Sequence, residues 1–177
     1  DMVFPQNNNI GYAVDGYRIL KTADRGINWT PVSYDPSAPY DALDAIDNNN
    51  LFVYSAYKYG SFTGKLLKTT NGGTSWLPIA IPDPHIHSAD FISPLKGWLN
   101  LYQNVDSMVV YYTANGGTSW TKQNSGTVTP ALFDKMQFVN DSTGYAISGL
   151  YTTFKTTDSA KVWEPLPRDN NYSYLGF

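Results

Sequence analysis

The sequence predicts an all-β fold made of four consecutive units of about 45 residues, each a four-stranded sheet. The phrase Thr-x-Asp/Asn-x-Gly-x-x-Trp, here called the box, occurs in four copies, of which the last is degenerate. The copies are box 1 (residues 22–29), box 2 (69–76), box 3 (113–120) and box 4 (156–163). Their tryptophans stand 47, 44 and 43 residues apart, and aromatic residues, which strands favour, make up 15% of the chain. A repeat of this length is typical of the blades of a β-propeller.

The first two strands of each unit are predicted from alternating and apolar runs around a short polar turn. The first strand ends at a bulky apolar residue, which is Phe4, Ile46, Phe91 or Phe138. The second strand is apolar and begins at Gly11, Leu51, Gly97 or Gly144. The two strands are therefore expected to form a hairpin around this turn.

The third and fourth strands are predicted to flank the box. The third strand reads ILKT, LLKT, VYYT or TFKT and runs directly into the box. The box itself suits a hairpin turn, because Asp or Asn accepts local backbone hydrogen bonds and Gly permits a positive φ. The tryptophan begins the fourth strand, and the prolines in it fit an outer edge strand, where a missing N–H costs little. Those prolines are Pro31, Pro78 and Pro165.

These patterns predict a single β-propeller segment over 1–177, with blades at about 1–34, 40–81, 87–123 and 130–167. The final stretch NYSYLGF (171–177) matches the opening strand of a blade, with Phe177 at the position of Phe91 and Phe138. We therefore expect four blades plus the first strand of a fifth, in a segment of a longer propeller. Ring closure by the terminal strand, or by a second copy of the chain, is the alternative.

Composition excludes several classes of function. The net charge is −3, charged residues make up 15%, and Lys and Arg are scattered, so neither nucleic acid nor an anionic membrane is an expected partner. No apolar run approaches the roughly 18 residues of a membrane span, so direct membrane insertion is not expected. The absence of Cys excludes disulfides and thiolate metal sites, and no cofactor is predicted. Abundant Asn, low charge and a start at Asp1 favour an extracytoplasmic protein, whether secreted, periplasmic or on the cell surface.

The repeated Gly-Tyr, Lys-Thr and Gly-x-x-Trp elements resemble the Asp-box, or bacterial neuraminidase repeat, superfamily of β-propellers. The combination is most similar to the photosystem II assembly factor-like branch, and the resemblance covers essentially the whole chain. Box 4 departs from the pattern at Ser159 and Ala160, where the glycines are lost. The resemblance implies the propeller fold but no single function, since the superfamily includes sialidases, xyloglucanases, sorting receptors and scaffolds. The assembly factors dock through an arginine-bearing face, and such a cluster is missing here.

The conserved spacing of the boxes favours a structural role for their residues. The polar residues at the box turns are Thr22, Asp24, Asn71, Asn115 and Asp158, and the glycines are Gly26, Gly73 and Gly117. With one box in each blade, they cannot converge on one substrate, and Asn cannot act as an acid or base. The tryptophans are expected to pack between blades rather than to bind a ligand. They are Trp29, Trp76, Trp120 and Trp163.

The inventory of reactive residues favours a protein without catalytic residues or a metal site. Sialidase chemistry needs an arginine cluster and a Tyr–Glu pair, but Glu164 is the sole glutamate and lies beside Trp163. A glycosidase needs two carboxylates across the sugar bond, and the spacing of Asp35, Asp83 and Asp90 singles out no pair. A His-x-His pair, His85 and His87, is how some metal sites begin, with Asp83 or Asp90 as a third ligand. The alternative, which we favour, is that both are surface histidines on a polar loop rim and bind no metal.

The loops opposite the boxes are the predicted binding face. They carry a mixture of Tyr, Asn, Ser and Asp that suits contacts with a protein or a glycan. The candidate contact residues are Tyr17, Tyr57, Tyr59, His85, His87, Tyr102 and Tyr151. The longest insertion, residues 57–64, is the best single candidate for contact. We expect a non-catalytic protein-binding or scaffold module with another protein as its partner; a glycan-binding module, or part of a propeller glycosidase, is the alternative.

Overall fold

The computed structural model describes residues 1–5, 9–37, 39–56, 64–104, 107–123, 133–148 and 152–167. Sixteen strands lie in this part of the chain, and they fall into four sheets of four. Sheet 1 contains β1 (Met2–Val3), β2 (Gly11–Asp15), β3 (Arg18–Thr22) and β4 (Thr30–Tyr34). Sheet 2 contains β5 (Ala42–Ala45), β6 (Leu51–Ser55), β7 (Lys65–Thr69) and β8 (Leu77–Ile79). Sheet 3 contains β9 (Ile86–Phe91), β10 (Gly97–Asn104), β11 (Ser107–Thr113) and β12 (Thr121–Lys122). Sheet 4 contains β13 (Phe133–Phe138), β14 (Gly144–Ser148), β15 (Thr152–Thr156) and β16 (Glu164–Pro165).

Each sheet is an antiparallel meander whose strands pair in chain order. The first strands of consecutive sheets are neighbours, with β1 beside β5 and β9 beside β13, so they form the inner side of the assembly. The fourth strands lie at the outer edge and contain Pro31, Pro78 and Pro165, as expected for residues that lack an N–H. The all-β class and the four four-stranded units are confirmed. The predicted strand at 171–177 lies outside the described residues.

The glycine that begins the second strand makes room for an aromatic ring from the first strand. In sheet 3, Gly97 pairs with Phe91, and a Cβ added at Gly97 would lie 2.2 Å from Cδ1 of that ring. Gly11 with Phe4 and Gly144 with Phe138 repeat the arrangement.

Sheet 2 uses the opposite combination of side chains. There Leu51 occupies the glycine position and is fully buried, while its partner across the strands is the small Ala45. The sequence prediction that the first strand of this unit ends at Ile46, in the position of Phe91 and Phe138, is therefore wrong by one residue. Ile46 begins the turn instead, and its N–H donates to the carbonyl of Asn50.

The box turns are held by their own threonine and Asx side chains. In box 2, Oγ1 of Thr69 accepts the N–H of Gly73 at 3.0 Å and donates to Oδ1 of Asn71 at 2.8 Å. Oδ1 of Asn71 also accepts the N–H of Ser75 at 3.0 Å. Boxes 1, 3 and 4 repeat the threonine bonds through Thr22, Thr113 and Thr156. The turn is thus stabilised by local side-chain hydrogen bonds.

Box 4 keeps this geometry without glycine. Ser159 and Ala160 adopt φ values of 64° and 71°, close to those of Gly72 and Gly73 in box 2. A non-glycine residue in this left-handed region costs about 1–2 kcal/mol. The hydrogen bond from the N–H of Ala160 to Oγ1 of Thr156 and the burial of Ala160 offset that cost, so the turn tolerates the loss of both glycines.

Each box is also tied to the turn between the first two strands of its own sheet. The bonds run from the backbone N–H of Arg25 to Asn9, Gly72 to Asn49, Gly116 to Leu95 and Ser159 to Ser142. All boxes and inner turns therefore share one side of the assembly, here called the box face. The second-to-third strand turns and the crossovers between sheets leave the opposite side, here called the loop face.

Among the described residues the hydrophobic core forms three clusters, each between two consecutive sheets. Phe52 of sheet 2 stacks on Phe91 of sheet 3, with ring centroids 3.6 Å apart and an interplanar angle of 5°. Trp98 of sheet 3 stacks on Phe138 of sheet 4 at the same distance. In this part of the chain the core is therefore a row of contacts between consecutive sheets.

Candidate binding face

Tyr17 lies at the tip of the β2–β3 turn on the loop face and is exposed. The crossover from sheet 1 to sheet 2 packs beside it. The N–H of Asp35 donates to the carbonyl of Tyr17 at 3.0 Å, and the N–H of Tyr40 donates to that of Gly16 at 2.7 Å. These bonds give the turn that carries Tyr17 a defined position.

A lysine–aspartate pair fastens the same crossover to sheet 2. Nζ of Lys65 lies 2.6 Å from Oδ2 of Asp35 and also contacts Oγ of Ser37. The hydrogen bond from Lys65 lowers the pKa of Asp35 to about 2, with further contributions from the hydroxyl and N–H of Ser37. Asp35 is therefore ionised at neutral pH and cannot act as a general acid.

The crossover from sheet 2 to sheet 3 is fixed around His85. Oδ1 of Asp83 accepts the N–H of His85 at 2.9 Å and also contacts Nδ1 of its ring. The carbonyl of His85 accepts the N–H of Tyr102, and the carbonyl of Pro84 accepts that of Gly64. The half-exposed imidazole is thus held at a set place on the loop face.

His87, two residues further along the chain, faces different partners. Its ring meets the ring of Tyr102 edge to face, with centroids 4.9 Å apart. Nε2 of His87 is buried and has no hydrogen-bond partner among the described residues; Oδ1 of Asp134 is 4.0 Å away, beyond hydrogen-bond distance. Burial lowers the pKa of His87, and the charge of Asp134 opposes this. Burial of this nitrogen therefore favours the neutral imidazole.

Four of the seven predicted contact residues can be located in the structure. His85, His87 and Tyr102 come together in sheet 3, whereas Tyr17 belongs to sheet 1. The candidates Tyr57, Tyr59 and Tyr151 lie outside the described residues. Sequence reasoning missed Asp134 and Lys65, since each meets its partner across 30 or more residues of sequence and carries no local signal.

The two histidines do not form a metal site with the predicted aspartates in the described chain. His85 is paired with Asp83, whereas Asp90 is engaged elsewhere, and no group of three or more His, Asp or Glu side chains that could hold a metal occurs among the described residues. Nor does any described helix have the length and apolarity needed to cross a membrane.

Two carboxylates on the inner strands link consecutive sheets. Oδ2 of Asp44 accepts the N–H of Phe91 at 3.1 Å, and Oδ2 of Asp90 accepts the N–H of Phe138 at 2.6 Å. They satisfy inner-strand N–H groups that have no neighbouring strand to pair with. The sequence considered Asp90 only as a possible catalytic residue and did not single out Asp44.

Both inner carboxylates are hard to ionise. Burial, reinforced by the charge of Asp90, raises the pKa of Asp44 to about 7. Burial raises the pKa of Asp90 to about 6, although its bond from the Phe138 N–H acts in the opposite direction. A raised pKa suits a general acid, but here each carboxylate already accepts a backbone hydrogen bond that joins two sheets.

No family model matches the chain, and no curated protein matches it. Several solved structures, however, share its fold. Among solved structures, the chain is similar to YCF48 from Cyanidioschyzon merolae (17% identity, TM-score 0.70, covering 97% of this chain and 56% of that one). It is also similar to YCF48 bound to D1 peptide (19% identity, TM-score 0.59, covering 75% of this chain and 41% of that one). A third similar structure is the GH74 enzyme of Niastella koreensis (19% identity, TM-score 0.72, covering 92% of this chain and 30% of that one).

The four sheets and these similarities define the chain as a β-propeller. Identities of 17–19% indicate the shared fold and nothing finer. The chain spans about half the length of one of these structures and less of the others.

Proposed function

We propose that this chain is a non-catalytic protein-binding or scaffold module that presents its loop face to a peptide segment of a partner protein. The observation that carries the proposal is the group formed by His85, His87 and Tyr102. It combines the aromatic surface of the His87–Tyr102 pair with the half-exposed imidazole of His85. The rings supply apolar contact area, and the exposed imidazole offers a polar contact to an incoming peptide.

The scaffold suits recognition by a preformed surface. The β2–β3 turn that carries Tyr17 and the crossover that carries His85 are held by hydrogen bonds, so little conformational freedom remains to be lost on binding. Tyrosine adds large amphipathic contact area at low entropic cost. The similar structure of YCF48 with a D1 peptide supports a propeller of this kind as a peptide-binding protein.

The environments of the candidate carboxylates support a module without chemistry. Asp35 is held ionised by Lys65, Asp83 is engaged with His85, and Asp90 accepts a bond that joins two sheets. Each of these carboxylates is therefore engaged with another group of the fold and is not free to face a substrate.

Glycan binding is the second candidate. Two observations favour it: the similarity to GH74 enzymes, which include a xyloglucanase from Xanthomonas campestris, and the raised pKa of Asp44 and Asp90. In this alternative the chain would bind a glycan or form part of a propeller glycosidase.

The repeat pattern supports further parts of the proposal. We propose that the chain belongs to the Asp-box superfamily, near the photosystem II assembly factor-like branch; the threonine bonds that recur in the boxes of all four sheets support the superfamily. We also propose a segment of a longer propeller, in keeping with the greater length of the similar structures. An extracytoplasmic setting rests on composition alone.

The test begins with selection of a random peptide library against the immobilised 177-residue chain. Selected peptides are then titrated by calorimetry into the parent and into Tyr17→Ala and His87→Ala. Thr74→Ala and Thr118→Ala, at exposed positions of the box face, are the matched controls. We expect an affinity loss of about tenfold or more for at least one loop-face variant and no change for the controls.

A parallel titration with xyloglucan oligosaccharides separates the two candidates. Sugar binding that depends on the loop face, with no peptide selected, would favour the glycan alternative. Peptide affinity that falls only in the box-face variants would contradict the choice of face.

A further inference from the structure

Boxes 2 and 3 each contain a dipeptide that is prone to spontaneous deamidation. Asn-Gly occurs twice in the sequence, at Asn71-Gly72 in box 2 and at Asn115-Gly116 in box 3. In both pairs the asparagine is exposed to solvent and the glycine is buried. Glycine lacks a Cβ, so its backbone nitrogen can approach the side-chain amide of the preceding asparagine without steric hindrance. The sequence of each box thus places a nucleophile next to an amide that it can displace.

The reaction consumes water and releases ammonia. In box 2, the backbone nitrogen of Gly72 loses its proton to solvent and attacks Cγ of Asn71. The new N–C bond closes a cyclic imide, and the side-chain nitrogen of Asn71 takes up a proton and leaves as ammonia. Water then adds to one of the imide carbonyls and opens the ring. Opening on one side gives aspartate, and opening on the other gives isoaspartate, in which the backbone runs through the former side chain.

In the folded chain, hydrogen bonds hold both reacting groups of box 2. The N–H of Gly72, whose proton must leave, donates to the carbonyl of Asn49 at 3.1 Å. Oδ1 of Asn71 accepts the hydroxyl of Thr69 at 2.8 Å and the N–H of Ser75 at 3.0 Å. Nδ2 of Asn71 donates to Oγ of Ser75 at 2.8 Å. The attack needs a deprotonated nitrogen and an amide carbon free to approach it, and these bonds oppose both.

Box 3 holds its pair in the same way. The N–H of Gly116 donates to the carbonyl of Leu95 at 2.7 Å. Oδ1 of Asn115 accepts the hydroxyl of Thr113 at 3.0 Å and the N–H of Ser119 at 2.9 Å, and its Nδ2 donates to Oγ of Ser119 at 2.8 Å. The protection is therefore a property of the box itself and is repeated in two separate sheets.

Boxes 1 and 4 show that a carboxylate fits the position of the asparagine. Oδ1 of Asp24 accepts the hydroxyl of Thr22 at 2.7 Å and the N–H of Asn28 at 2.8 Å, which are the bonds that Asn71 accepts in box 2. Asp158 repeats them in box 4. Conversion to aspartate therefore preserves the accepted bonds of the box, whereas isoaspartate lengthens the backbone and disrupts the turn.

We infer that Asn71 and Asn115 are deamidation sites that their boxes protect in the folded chain, and that conversion follows the opening of the individual box. Only molecules with an opened box react, so the rate at each site reports how often that box opens. Each conversion adds one negative charge to the box face. The loop face, on the opposite side of the sheets, keeps its charge.

The test follows both sites in one molecule, so that each site is the control for the other. Trypsin cleaves after Lys and Arg, and it therefore releases Asn71 within residues 69–96 and Asn115 within residues 97–122. The 177-residue chain is incubated at mildly alkaline pH, and samples are digested at intervals. Mass spectrometry then measures the fraction of each peptide in which an amide has become a carboxyl, and fragmentation assigns the change to the asparagine. The folded parent is compared with the parent unfolded in guanidinium chloride.

We expect both sites to convert about tenfold or more slowly in the folded parent than in the unfolded parent. Thr69→Ala should speed conversion at Asn71 about fivefold or more and leave Asn115 unchanged, because it removes the oxygen that holds box 2 alone. Thr113→Ala should do the reverse. Equal rates in the folded and unfolded parent would overturn the inference. Acceleration of both sites alike by either variant would also overturn it, because unfolding of the whole chain would then expose them.

Discussion

Asp44→Asn should make the protein more stable at alkaline pH, because it removes a charge that the fold accommodates poorly. The folded-state pKa of Asp44 is about 7, against an ordinary value of 3.8. The folded protein therefore keeps a proton that the unfolded chain releases. The corresponding stability is fully present below pH 4 and is lost as the pH rises through 7. Asn carries no charge but retains an oxygen that can accept the N–H of Phe91.

The size of the effect follows from the difference in pKa. About three pKa units at about 1.4 kcal/mol each give an upper figure of ~4 kcal/mol. The Asp44 side chain keeps some exposure on the inner side of the strands. Solvent therefore reduces the penalty, so we expect Asp44→Asn to gain about 2 kcal/mol at pH 8 and almost nothing at pH 4.

The assay is urea unfolding of parent and variant, followed by tryptophan fluorescence at several values between pH 4 and pH 8. The reasoning predicts two curves of unfolding free energy against pH that meet in acid and separate as the pH rises. Parallel curves would refute it, because they would show that Asp44 ionises in the folded state as easily as in the unfolded chain. A variant that is less stable than the parent at pH 8 would refute it equally.

Three further substitutions test the packing, the boxes and the loop face. Gly144→Ala should lower the unfolding free energy by about 1–3 kcal/mol, because its Cβ would lie 2.7 Å from the ring of Phe138; an unchanged urea midpoint would show that the ring moves away freely. Thr69→Ala should lower the free energy of unfolding by about 1–3 kcal/mol, because it removes the buried oxygen that holds box 2. Calorimetric melting measures this loss, and a loss below the experimental error would show that the backbone alone stabilises the turn. Asp35→Asn should destabilise the protein by less than about 1 kcal/mol at pH 7, since its partner Lys65 is partly exposed. Because the pKa of Asp35 is lowered to about 2, that difference should vanish as the pH falls through 4 towards 2; a difference that grows in acid would contradict the ion pair.

The fold could be predicted because its determinants are local and repeated. A threonine, an Asx residue and a positive-φ position occur within five residues in every box, so the hairpins are visible in the sequence. The register of sheet 2 could not be read in the same way. There the large and small residues of the inner hairpin are exchanged, with Ala45 opposite Leu51, and the apolar Ile46 next to Ala45 misled the alignment.

The candidate site was less predictable, because its contacts join residues far apart in the chain. His85 and His87 stood out as a pair with Asp83 nearby in sequence, but the approach of Asp134 to His87 depends on where sheets 3 and 4 meet. Asp44 likewise owes its raised pKa to burial between sheets and to the charge of Asp90, 46 residues away. No local pattern distinguishes such an aspartate from one exposed to solvent.

The central claim is that the loop face, and not the box face, binds a protein partner. The most direct measurement is the change in backbone amide chemical shifts of the labelled 177-residue chain when a selected peptide is added. We expect the largest shifts at His85, His87 and Tyr102, with the box turns at Asn71 and Asn115 unchanged. Shifts concentrated at the box turns, or spread evenly over both faces, would contradict it.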